Sequence, residues 1–179
     1  KDFDEISNAA FDIFSEVHQN TDNRFYIIPG GGTPKGFLNL LSKNVNDWRN
    51  THFILSDEKL IDDKKISNQS MVNKELLSKI DRNEKPVLIK YNRNGNQTEV
   101  ENILKYKSPN LAILGLGSDG HTASLFPGNS EILNENDEDR RAEWNLRNNH
   151  GIPVASGMYI VHIDVDDSNG REIGERILK

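Results

Sequence analysis

The chain of 179 residues has no cysteine, which excludes disulfides and thiolate metal sites and leaves the redox compartment open. Aromatic residues make up only 7% and hydrophobic residues 35%, lean for a globular enzyme but not a disordered composition. No apolar run approaches the roughly 20 residues that would span a bilayer. Positive charge is not in excess: 22 Lys and Arg against 28 Asp and Glu give a formal net charge of −6. That balance argues against an extended nucleic-acid footprint while leaving room for a local basic pocket. The opening residues, KDFDEISNAAFDIF, have no signal-peptide pattern. The chain starts at Lys1 rather than a methionine, which leaves a trimmed or omitted N-terminus open. The glycine spacings of a Walker loop and of the dinucleotide fingerprint are both missing, and no internal repeat is evident.

What is present alternates between strand and helix signals. Phe3, Ile6, Ala10, Ile13, Phe14 and Val17 recur at helical spacing over residues 3–18. RFYII then reads as a strand entering a glycine loop, and TPKGFLNLLSK as a helix with Thr33 at its N-cap and Pro34 at its first position. THFIL is a second strand, and Ser67 and Asn68 can cap a helix through QSMVNKELLSKI. KPVLIKYN is a third strand, QTEVENILKYK a helix, and NLAILGLG a fourth strand. The alternation predicts an α/β domain with a mainly parallel sheet over residues 1–133. NENDEDRRAE within 134–143 reads as a charged linker or exposed loop. Residues 144–179 alternate from Met158 to Val165 and carry an Asn169-Gly170 turn, which predicts a β-hairpin. Thirty-six residues are too few for a core of their own, so this tail is expected to pack on the α/β body or to be part of an incomplete module.

Ligands of open α/β sheets gather at the carboxyl ends of strands, and three polar segments stand at such ends. Gly30, Gly31 and Gly32 with Thr33 lead into a helix N-terminus, where backbone amides and the helix dipole favour an anion. Thr33 and Lys35 can add a hydroxyl and a cation; a tight turn without a ligand would use the same glycines. Asp57-Glu58-Lys59 is a mixed-charge cluster that also suits a solvated surface. In the third segment, Gly115, Gly117 and Gly120 surround a loop carrying Asp119 and His121. A histidine can titrate near neutral pH, and Asp119 or Asp57 could orient it as a general base. A structural, hydrogen-bonded histidine is the alternative. Thr122 and Ser124 do not form the Gly-x-Ser-x-Gly elbow, so both hydroxyls are expected to cap or bond the backbone. His18, His52, His150 and His162 show no metal-ligand spacing.

Taken in order, these segments resemble the 6-phosphogluconolactonase family. LGLGSDGHTASLFPG is similar to its signature, PGGGTPKG to its phosphate loop and SDEK to its Asp-Glu-Arg segment, with Ser67-Asn68 following. The resemblance covers about residues 3–130. Glucosamine-6-phosphate deaminases share the fold and the Asp-Gly-His but continue differently, and TASLFPG favours the lactonase. The resemblance implies a Rossmann-like sheet of the sugar-phosphate isomerase/lactonase type. It also implies hydrolysis of 6-phosphogluconolactone in the pentose phosphate pathway, in the cytoplasm, without metal or organic cofactor. His121 would be the general base, Asp119 its orienter, the Gly30–Thr33 loop the phosphate holder, and Lys59 the occupant of the family arginine's position. Lys keeps that charge but loses the bidentate fork. Gly32 and Pro29 stand where the family has serines. The family's later strands, with a further phosphate-binding lysine, are not found, so the chain reads as a truncated lactonase. WNLRNNHGIPVASGMYIVHIDV instead resembles the terminal β-module of secreted bacterial proteins, which adds secretion as a second expectation. A sugar-phosphate binding module without turnover, and a deaminase or isomerase of the same fold, remain the alternatives.

Overall fold

The computed structural model describes residues 3–59, 67–81, 83–90, 103, 107–118, 120–125 and 157–160. Five strands form one sheet in the order β3-β2-β1-β4-β5, where β1 is Arg24–Ile28, β2 Thr51–Leu55, β3 Val87–Ile89, β4 Leu111–Leu116 and β5 Gly157–Ile160. The four strands expected from the apolar runs are all there, and all pair in parallel, with Ile28 beside Leu55, Ile54 beside Ile89 and Ile27 beside Ala112. β5 runs antiparallel to β4 and pairs Ile113 with Ile160 and Leu116 with Gly157. The expected hairpin turn at Asn169-Gly170, its second arm, the charged segment 134–143 and most of the helix expected over 97–107 lie outside the described residues.

Three helices cover one face of the sheet: α1 (Phe3–Gln19), α2 (Lys35–Asn44) and α3 (Asn68–Glu75). Side chains alternate along a strand, so Tyr26, Ile28, Phe53, Leu55, Leu111 and Ile113 point into this main core. Phe14 is its centre, fully buried, with its ring against those of His18, Tyr26, Phe37, Trp48 and Phe53. Phe25 and Ile54 start a second, smaller core on the opposite face.

The buried stripe of α1 differs from the expected one. It runs through Ser7, Ala10, Phe14 and His18, while Phe3 is exposed. Two polar residues sit on that stripe for packing reasons. A Cβ on Gly36 would crowd the Ser7 hydroxyl, so a small residue on each helix lets α1 and α2 approach closely. His18 bonds through Nε2 to the Asp47 carbonyl at 2.7 Å, and its Nδ1 lies 3.1 Å from the Tyr26 hydroxyl. The carbonyl can only accept, so Nε2 carries the proton and Tyr26 donates to Nδ1. His18 is thus a satisfied core histidine.

The start of α2 also corrects an expectation. Pro34 occupies the cap position with helix-like dihedrals (φ −77, ψ 0), and no side chain makes a capping hydrogen bond, so Thr33 is not the N-cap. The chain still turns between Gly32 and Lys35 there, and the helix begins one residue later than the pattern predicts. Ser67 does cap α3, accepting from the Ser70 amide at 3.2 Å, but that helix ends at Glu75 and gives way to a 3-10 turn over Leu77–Lys79.

Candidate active site

The order β3-β2-β1-β4 places a reversal beside β1: the chain steps outward through β2 and β3, then returns to the other side of β1 as β4. Such switch points open a crevice at the carboxyl ends of the strands. A cleft of about 280 Å³ lies there, lined by residues that follow β1, β2 and β4. Of the residues singled out in the sequence, Gly30, Gly31, Gly32, Thr33, Asp57, Lys59 and His121 all line it. Lys35, the exposed first residue of α2, does not line it. Asp119 lies outside the described residues. No group of three or more His, Asp or Glu among the described residues could hold a metal ion.

Each wall follows from its local chain. After β1, Gly31 takes φ +81, a left-handed conformation that favours glycine, and so turns the loop sharply toward α2. After β4, Gly120 at φ +86 makes a second such turn. The Gly117 amide donates to the His121 carbonyl at 2.7 Å and the Gly120 amide to the Gly117 carbonyl at 3.0 Å. These bonds fold the loop back on itself and hold the half-buried His121 at the strand end. Thr122 and Leu125 then exchange backbone bonds at 3.2 and 2.9 Å around Ala123, whose φ of 51 is strained for a residue with a Cβ.

The charged cluster after β2 divides its roles. Glu58 turns away from the cleft: its carboxylate accepts from the amides of Asn68 and Gln69, both at 2.8 Å, and from the Ser67 hydroxyl at 3.1 Å. It is the anion of the α3 N-terminus, stabilised by unpaired amides and the helix dipole. Asp57 faces the cleft and is held from three segments. Its carboxylate accepts from Ser56 at 3.3 Å, from Asn68 at 3.4 Å and from the Ser124 hydroxyl at 3.1 Å. Ser124 therefore bonds a carboxylate and not the backbone, contrary to the expectation. Lys59 is exposed at the cleft margin. The cleft thus places a cation, a fixed carboxylate, an imidazole and a glycine loop around one space.

Asn68 is the residue that sequence reading understated. Its capping position and its place in an Asp-Glu-x…Ser-Asn pattern were legible, but its bonds to Gly31 and Asp57 were not.

A family model described as glucosamine-6-phosphate isomerases/6-phosphogluconolactonase matches residues 4–149. The chain belongs to that family. The 6-phosphogluconolactonase of Neisseria meningitidis serogroup A is 35% identical over 130 residues, covering 68% of this chain and 56% of the relative. That of Helicobacter pylori strain J99 is 34% identical over 141 residues, covering 76% and 59%. Among solved structures, the 6-phosphogluconolactonase of Leishmania guyanensis superposes with a TM-score of 0.60 at 25% identity, covering 75% of this chain and 65% of that one. The Thermotoga maritima enzyme gives 0.56 at 26% identity, covering 69% and 59%. The chain therefore spans little more than half the length of the curated relatives it matches. The family membership agrees with the expected α/β sheet. No helix among the described residues is long and apolar enough to cross a membrane.

Proposed function

We propose that the chain carries the cleft of a lactone hydrolase acting on 6-phosphogluconolactone, giving 6-phosphogluconate, with His121 as general base. The observation that carries this reading is the shared lining of one cleft by His121, Asp57, Lys59 and the Gly30–Thr33 loop. In the proposed reaction the imidazole takes a proton from water as the water oxygen attacks the lactone carbonyl carbon. The ring C–O bond then breaks, and the departing alkoxide takes up a proton. Asp57 and Asp119 are the carboxylates proposed to orient the imidazole. The glycine loop and Lys59 are proposed to hold the phosphate, the loop through amides and Lys59 as a point charge. Residues 1–133 would form the catalytic domain, acting in the cytoplasm, with no metal or organic cofactor.

The test is loss of lactone in the presence of purified protein, measured against buffer. Wild type is expected to accelerate it and His121→Ala to abolish most of the acceleration. Equal rates for the two would remove His121 from the reaction. The family description also spans isomerases, so ammonia release or ketose formation from an amino-sugar phosphate would transfer the reading to that branch. Calorimetric binding of 6-phosphogluconate without turnover would leave a sugar-phosphate binding module.

A further inference from the structure

Asn68 is buried, 4% exposed as a residue, and its carboxamide has no part in the reaction outlined above, yet it touches two walls of the cleft. Its oxygen accepts the Gly31 amide at 3.1 Å. Its nitrogen donates to the Asp57 carbonyl at 3.1 Å and to the Asp57 carboxylate at 3.4 Å. The backbone beneath it is fixed as well, because the Asn68 amide is held by Glu58 at 2.8 Å and Ser67 caps the helix. Gly30 completes the arrangement: a Cβ there would overlap the carboxamide, so the loop lies directly against Asn68.

These bonds settle which loop amides remain for a ligand. The Gly31 amide is spent on Asn68. Among the described residues no acceptor meets the amides of Gly32 and Thr33, and both residues line the cleft. We propose that Asn68 is the positioning residue of this site, tying the glycine loop to Asp57 so that Gly32 and Thr33 present their amides to the substrate's phosphate. Only a side chain with one acceptor and one donor at this place can serve both walls. An aspartate of the same shape would keep the Gly31 bond but set an oxygen against the Asp57 carbonyl and carboxylate. It would also bring a second negative charge toward an anionic ligand.

The inference rests on the hydrolase reading for its kinetics, but not for its binding test. In the full chain, amide NMR during titration with inorganic phosphate is expected to move the Gly32 and Thr33 signals and to leave Gly31 nearly still. Asn68→Asp is expected to weaken this response tenfold or more. With lactone as substrate, Asn68→Asp is expected to raise KM tenfold or more with a smaller fall in kcat. The acid limb of the pH–rate profile should also move to higher pH. The new carboxylate would stand beside Asp57, which the Asn68 nitrogen meets, and near Glu58, which holds the Asn68 amide, and both acidic groups resist a further charge; Lys59 and His121 are the titratable groups that share the cleft with it. Ser67→Ala, which loosens the cap of α3 without touching the carboxamide, should lower Tm and leave the pH profile in place. Gly30→Ala displaces the carboxamide from the other side and should reproduce the weakened phosphate response if Asn68→Asp does not fold. A phosphate response as strong at Gly31 as at Gly32, no response at either Gly32 or Thr33, or an unchanged response in both variants would overturn the proposal. Phosphate responses as expected in a wild type that does not turn over lactone would uphold it while removing the hydrolase reading.

Discussion

The Ser124 hydroxyl donates to Asp57 Oδ2 at 3.1 Å and so joins two segments 67 positions apart. One is the end of β2, the other the loop after β4 that carries His121. β1 lies between those strands, so the bond ties together loops from two strands that do not pair with each other. The strained Ala123 immediately before Ser124 gives the loop the turn that brings this hydroxyl within reach.

Ser124→Ala should therefore loosen the His121 loop without disturbing the core. A hydrogen bond to a charged group contributes about 1.5–3 kcal/mol when buried, and roughly 1 kcal/mol is expected at this exposed position. A loss of that size lowers Tm by about 2–4 °C, and if the whole of it is felt in the ordering of the His121 loop it corresponds to about a fivefold loss of kcat/KM. Steady-state kinetics beside a thermal melt tests it, and an unchanged kcat/KM would deny the latch a role.

The glycine loop allows a sharper comparison. A Cβ on Gly31 or on Gly32 meets nothing within 4 Å, but only Gly31 has a positive φ. Gly31→Ala should cost about 1–2 kcal/mol through backbone strain alone. Gly32→Ser, which restores the serine of the family's loop, should leave stability within about 0.5 kcal/mol of wild type. Urea midpoints of the two variants are the measurement; equal losses would mean that the loop has another conformation.

Glu58 is expected to matter for stability more than for chemistry. Glu58→Ala leaves the Asn68 and Gln69 amides at the α3 N-terminus without their acceptor and should cost about 1–2 kcal/mol. Because Asn68 starts that helix, the phosphate affinity of the loop should fall as well. A melt that matches wild type would contradict the capping role.

His18 gives the fold a dependence on pH. Burial holds its imidazole below the ordinary value of 6.5, assisted by Arg24 and opposed by the Asp47 carbonyl and carboxylate. The unfolded chain thus takes up a proton near pH 6.5 that the folded chain accepts only at lower pH. The stability is fully present above that value and is lost as pH falls through the folded-state value. Urea midpoints should decline between pH 7.5 and 5, and less steeply in His18→Gln; parallel slopes for the two proteins would rule His18 out as the cause.

Much of the scaffold was legible because it depends on local pattern. The four apolar runs became four parallel strands, and Ser67 announced its helix. The strand-end position of His121, Asp57 and the glycine loop followed from the order of those elements. Other features depend on partners distant in the chain. Asn68 meets Gly31 across 37 positions, and no local spacing encodes that pair. The polar stripe on α1 is similar: Ser7 is buried because Gly36 on another helix has no side chain, and His18 because Asp47 and Tyr26 supply its bonds. The cap of α2 moved by one residue because Pro34 takes helix-like dihedrals while the preceding turn leaves the Thr33 side chain without a capping bond.

β5 has a consequence for β4. β4 pairs with β1 on one flank at Leu111 and Ala112 and with β5 on the other from Ile113 to Leu116. A strand laced on both flanks cannot slide by a residue without breaking two ladders, so the height of His121 above the sheet is set by backbone pairing rather than by its own side chain. Ending the chain before residue 157 would strip the ladder along Ile113–Leu116 and leave that side of β4 as an edge of unpaired backbone groups. Such an edge pairs readily with the same edge of another copy, and the shortened chain should therefore self-associate more strongly than the longer one.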